Sequence, residues 1–174
     1  MRCIREILHR IKTTQYNQIE WKEFEVRKSI QIPSIDFDIY ISSGGPGSPV
    51  DSKDSTWEKA YFDWIESLMK WNSNPNNLRK KYVFLICHSF QLACRYFEIA
   101  DVIKRKSTSF GVFPIHMLKD RGTIDPVFNG LEDPFYGVDS RDYQVVQPNK
   151  HKVRAMGGEI LCIEKERPHI PLER

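Results

Sequence analysis

No apolar run in the sequence extends further than Val83 to Cys87, far short of the ~20 residues that a membrane-spanning helix needs. Charge of one sign is not in excess either: 26 basic residues face 23 acidic ones, a net +3 spread along the chain. A nucleic-acid-binding face needs clustered Lys and Arg, and the nearest approach to one is the short Lys104-Arg105-Lys106. Cysteine is sparse. Cys3, Cys87, Cys94 and Cys162 are scattered without CxxC spacing, which argues against a zinc site and against a secreted disulfide framework. His, Cys, Asp and Glu form no cluster with metal-ligand spacing, so no metal or other cofactor is expected. Met1 is followed by a charged, amphipathic stretch, not by the apolar core of a signal peptide. These absences predict a cytoplasmic chain that binds neither nucleic acid nor membrane.

What is present suits one folded domain over 1–174, with 40% hydrophobic and 28% charged residues. Ile4, Ile7, Leu8 and Ile11 follow the stripe of an amphipathic helix. Trp21 to Val26 alternates apolar and charged residues, which predicts a half-buried strand. Phe37 to Ile41 predicts a second strand, ending abruptly in Ser42-Ser43-Gly44-Gly45-Pro46-Gly47-Ser48-Pro49. A helix follows, capped by Ser55 or Thr56, with Trp57, Tyr61, Trp64, Ile65, Leu68 and Met69 as its apolar face. Lys81 to Ile86 is nearly continuously apolar, as in a strand covered on both faces. After Cys87-His88-Ser89 the period turns helical, with Phe90, Leu92, Ala93, Tyr96 and Phe97 expected to pack under the sheet. Val112–Ile115, Tyr143–Val146 and Glu159–Ile163 read as later strands. This order predicts an α/β fold with a mostly parallel sheet.

The junction at Cys87 is the most informative place in the chain. A cysteine between a buried strand and a helix stands at the carboxyl edge of a sheet, where α/β folds bind ligands. It also stands at a helix N-terminus, whose partial positive charge favours a thiolate. This is the logic of a nucleophile elbow, with cysteine in place of serine. The same residue also fits the ordinary role of a small buried side chain. The loop Gly44-Gly45-Pro46-Gly47 follows a neighbouring strand and permits the close approach that an oxyanion-binding loop needs, although GGPG is also an ordinary tight turn. It has neither the GxGxxG order of a dinucleotide loop nor the GK[ST] of a P-loop.

Taken together, Tyr40-Ile-Ser-Ser-Gly-Gly-Pro-Gly-Ser-Pro49 and Phe84-Leu-Ile-Cys-His-Ser-Phe-Gln91 resemble a class I, triad-type glutamine amidotransferase domain of the stand-alone, GMP-synthase-like kind. Lys106 to Pro114 and Asp139 to Val145 support the likeness. The family's elbow is Gly-x-Cys-x-Gly-x-Gln; Cys87 and Gln91 match it, while Leu85 and Ser89 stand at the two glycine positions. The resemblance implies a three-layer, flavodoxin-like fold with helices on both faces of the sheet. It implies glutamine hydrolysis through a thioester on Cys87, with L-glutamine as substrate and the ammonia passed to a synthase subunit or acceptor domain. The main-chain N–H groups of Gly45 and His88 are then the oxyanion hole. Gln91 helps to orient the substrate, and Ser140, Arg141 and Asp142 lie where the family binds the α-amino and α-carboxylate groups.

The family's base is a histidine in His-Pro-Glu, and none of His9, His88, His116, His151 and His169 has a glutamate two residues later. The family also opens with a strand before the first helix, whereas this chain starts inside that helix. The resemblance therefore implies a fragment, truncated at both ends, that carries the nucleophile and the oxyanion loop without the base. Two other readings stay open: a non-catalytic or regulatory domain of the same fold, and another cysteine-elbow acyltransferase or hydrolase.

Overall fold

The computed structural model describes residues 2–14, 19–118 and 125–164. The chain divides into two compact units, one built from Met1–Gly45 and Asp51–Ile86 and the other from Pro46–Val50 and Cys87–Arg174.

The first unit holds α1 (Arg2–Thr14), α2 (Val26–Ser29), β1 (Ile39–Ser42), α3 (Thr56–Ser73) and β2 (Tyr82–Leu85). β1 and β2 pair in parallel, with Ile39 opposite Tyr82 and Ile41 opposite Phe84. Buried residues of α3 recur at helical spacing (Tyr61, Phe62, Trp64, Ile65, Leu68) and form the core with Tyr40 of β1. The Tyr40 and Trp64 rings meet edge to face at 5.1 Å, and the contact continues through Phe37 to Phe24. Met69, expected on this apolar face, is instead 43% exposed.

Two expectations for this unit are corrected. Trp21 to Glu25 forms no strand; the segment enters α2 at Val26. Its polar groups are met locally, since Glu25 N–H donates to the Gln31 side chain at 3.1 Å and Gln31 N–H returns to Glu25 O at 3.2 Å. Phe24 buries its ring against Phe37, so its apolar side is served without a ladder. Nor is β2 covered on both faces. Ile39, Ile41, Tyr82 and Phe84 line one exposed face of the parallel pair, at 66%, 41%, 64% and 60% exposure.

The second unit holds α4 (His88–Tyr96), β3 (Asp101–Met117), a short 3-10 turn at Pro126–Phe128, β4 (Phe135–Val146), α5 (Lys150–Ala155) and β5 (Cys162–Ile163). Its sheet has the order β4-β3-β5 and is antiparallel throughout. The expected mostly parallel sheet is therefore realised only in the β1–β2 pair. β3 and β4 are consecutive and the chain turns back between them, so they pair in opposite directions. Both are longer than their apolar segments. The polar stretch from Lys104 to Ser109 is carried within β3, with the register shifting between those two residues.

α4 lies against β3 and β4. His88, Ser89, Gln91, Leu92, Ala93 and Cys94 are its buried residues, whereas Phe90 and Tyr96, expected inside, are 46% and 38% exposed. The buried face is set by the two strands beneath it, and half of it is polar. Among the described residues, no helix is long and apolar enough to cross a membrane.

Candidate functional site

Cys87 follows β2 after one residue, Ile86. Ile86 N–H donates to Ser42 O at 2.9 Å, continuing the parallel ladder up to the residue before the cysteine. Gln91 N–H donates to Cys87 O at 2.9 Å, which opens α4. Between these two anchors Cys87 takes φ 53° and ψ −104°, at the N-cap position of the helix. Positive φ in a non-glycine residue with this ψ lies outside the ordinary basins and costs about 1–3 kcal/mol. The conformation leaves the Cys87 side chain exposed, against the small-buried-residue reading. Cys94 is buried, and loss of water pushes its thiol up to about 11. Cys162 is half-buried, and burial raises its pKa as well.

The glycine loop leaves the end of β1. Ser42 Oγ accepts from the Tyr61 hydroxyl at 2.9 Å, tying the start of the loop to α3. Burial raises the Tyr61 pKa, so its hydroxyl keeps the proton that it donates. A Cβ on Gly45 would lie 3.2 Å from Arg27 Nη1. The Arg27 guanidinium in turn lies 5.5 Å above the ring of Trp57, in the first turn of α3. No motif pointed to Arg27. The far end of the loop belongs to the second unit, where Gly47 takes φ 111° and Arg95 Nε donates to Pro49 O at 2.8 Å.

Gln91 is buried, and its Nε2 donates to Tyr143 O at 3.1 Å, joining α4 to β4. His88 is buried in the first turn of the same helix. The structure does not gather Ser140, Arg141 and Asp142 on one face. Successive strand residues point to opposite sides, and Ser140 and Asp142 are exposed while Arg141 is half-buried. Arg141 Nη2 donates to Asp139 Oδ2 at 2.9 Å and to Glu164 Oε2 at 2.5 Å, so two carboxylates hold its guanidinium. Ser109 Oγ reaches the same Asp139 oxygen at 3.0 Å, and Asp142 accepts from Thr108 Oγ1 at 2.5 Å. Arg105, buried in the irregular part of β3, donates from Nη1 to Gln144 Oε1 at 2.7 Å.

The remaining histidines are dispersed. His9 and His151 are exposed in α1 and α5, and His116 is half-buried in β3, opposite Ile163. His169 lies outside the described residues. Among the described residues, no group of His, Cys, Asp and Glu could hold a metal ion.

No protein-family model matches the sequence, and neither does any curated protein. Among solved structures, the fold matches a glutamine amidotransferase from Thermotoga maritima with a TM-score of 0.60 at 14% identity. The match covers 84% of this chain and 57% of that one, so the chain spans little more than half the length of the protein it resembles. With its strand-to-helix turn at Cys87 and its parallel β1–β2 pair, the chain has an α/β fold like that of this glutamine amidotransferase.

Proposed function

We propose that this chain carries the nucleophile of a class I glutamine amidotransferase of the GMP-synthase-like kind, with a fold of flavodoxin-like, three-layer type. The observation that carries the proposal is the conformation of Cys87, an exposed thiol held at φ 53° between a strand and a helix. Strain of this sort persists where function needs it.

On this proposal Cys87 Sγ attacks the side-chain amide carbon of L-glutamine, forming the S–C bond and a tetrahedral oxyanion. The main-chain N–H groups of Gly45 and His88 stabilise that oxyanion. The C–N bond then breaks, ammonia leaving with the thiol's proton carried to it by water, and a further water hydrolyses the thioester to release glutamate and restore the thiol. Ammonia passes to a synthase subunit or acceptor domain. Gln91 acts by fixing α4 behind the nucleophile. Ser140 and Asp142, on the exposed side of β4, are better disposed towards the substrate's α-groups than Arg141, which Asp139 and Glu164 already hold.

No histidine of the chain stands two residues before a glutamate. General acid–base assistance is worth ~10²–10⁴-fold, so the chain alone is expected to turn glutamine over negligibly while still reacting at Cys87. The test is incubation with a chloroketone analogue of glutamine, followed by peptide mapping. A single adduct at Cys87, slowed by excess L-glutamine, supports the proposal. Adducts at Cys3, Cys94 or Cys162, or no protection by glutamine, overturn it.

A further inference from the structure

Arg27 is absent from every motif read in the sequence, yet its side chain lies against the glycine loop. It belongs to the four-residue helix α2, which packs on α3. Its guanidinium carbon is 5.5 Å from the centre of the Trp57 ring, and its Nη1 is 3.2 Å from where a Cβ on Gly45 would be. Arg27 is exposed, and a long exposed side chain has many rotamers open to it in water. The contact with Trp57 gives this one a preference, since a cation over an indole face is worth about 0.5–1 kcal/mol at an exposed site. The indole itself is anchored by the first turn of α3, whose buried face forms the core of the unit.

The consequence falls on Gly45. A side chain there would press on a guanidinium that also lies over the Trp57 ring, so the glycine suits the close approach of a cation. The loop start is held from α3 as well, through Tyr61 to Ser42. The segment from Ser42 to Gly45 is thus restrained by a hydroxyl at one end and flanked by a positive charge at the other.

We propose that Arg27, braced on Trp57, is a positioning residue that holds Gly45 in the conformation oxyanion binding requires and adds positive potential beside its N–H. The proposal rests on the amidotransferase reading of the site. It assigns Arg27 an effect on the rate of the step that forms the oxyanion, not on the affinity for glutamine.

The experiment uses the whole chain and the same glutamine chloroketone. Attack by Cys87 Sγ at its ketone forms an S–C bond and builds an oxyanion, the thiol proton going to solvent; sulfur then displaces chloride from the adjacent carbon, and the first S–C bond breaks as the ketone re-forms, leaving a thioether. Rates of adduct formation at Cys87, followed by intact mass against reagent concentration, separate the half-saturating concentration from the limiting rate. Loss of one oxyanion donor costs ~10²–10³-fold, so loss of a residue that acts through the donor is expected to cost about tenfold. Arg27→Met should lower the limiting rate by that factor with half-saturation unchanged. Arg27→Lys, which keeps the charge and the ring contact, should stay within about threefold of the wild type. Gly45→Ala should cost about tenfold beside Arg27 but less than about twofold in an Arg27→Ala background, because contacting residues couple.

Equal limiting rates for wild type and Arg27→Met overturn the proposal. So does a parallel loss in Arg27→Met and Arg27→Lys that follows their melting temperatures, which is the signature of a merely structural residue. If wild-type Cys87 is alkylated by iodoacetamide yet shows no saturable reaction with the glutamine analogue, the amidotransferase reading itself fails and this proposal falls with it.

Discussion

Gln91 and Tyr143 stand 52 positions apart in the chain and are joined by one hydrogen bond, from the side-chain Nε2 of the first to the main-chain O of the second, at 3.1 Å. The bond ties the helix that begins behind Cys87 to the strand that carries Ser140, Arg141 and Asp142. Because Gln91 is buried, its loss leaves the Tyr143 carbonyl without this donor in a poorly hydrated place. Gln91→Leu is therefore expected to cost about 1–3 kcal/mol, the penalty for an unmet buried polar group. Urea denaturation of the two chains measures it, and a midpoint equal to that of the wild type refutes the structural role.

The strain at Cys87 predicts a trade between stability and reactivity. Glycine enters φ 53° without the Cβ penalty, although it loses more chain entropy on folding. Cys87→Gly should therefore gain about 1 kcal/mol net from the ~1–3 kcal/mol of strain relieved. The same variant abolishes labelling by the glutamine chloroketone. A destabilised Cys87→Gly protein would show that the conformation carries no strain.

Cys94 gives a pH dependence of known sign. Its thiol has a pKa of about 11 in the folded chain against an ordinary 9.0, because burial disfavours the thiolate. The unfolded chain therefore loses this proton first, and folding stability attributable to Cys94 is intact below pH 9 and falls between pH 9 and about 11. Stability measured across that window should decline more steeply in the wild type than in Cys94→Ala. The thiol should also resist iodoacetamide at pH 8 until the chain is unfolded. Equal slopes, or rapid labelling of Cys94 in the native chain, would contradict the assignment.

The two faces of the parallel pair should answer differently to mutation. Leu68, 2% exposed in the core of α3, is expected to cost about 2–5 kcal/mol on truncation to alanine, since a cavity replaces packed atoms. Ile39, 66% exposed on the open face of β1, should change stability by no more than about 0.5 kcal/mol when replaced by threonine. Thermal melting of both variants checks this. A large loss in Ile39→Thr would mean that its face is packed in solution.

The sequence by itself determined the local elements whose periodicity comes from a single buried face. The stripe from Tyr61 to Leu68 makes α3, the run from Tyr82 to Leu85 makes β2, and the change of period after Cys87 makes α4. It also located the strand-to-helix turn and the glycine loop, because glycine clusters and abrupt changes of period are local signals. The tertiary structure decided what depends on which segments meet. Trp21 to Glu25 alternates like a strand, but strand formation needs a partner ladder, and its side chains and main chain found partners nearby instead. The polar bridge from Lys104 to Ser109 became strand because β4 lies alongside it, a fact no window of that segment contains. Arg141 was legible as a cation but not as one held by Asp139 and Glu164, and Arg27 carried no signal at all. Their roles depend on contacts that reach beyond one element, Arg141 to Glu164 and Arg27 to Gly45, which periodicity cannot encode.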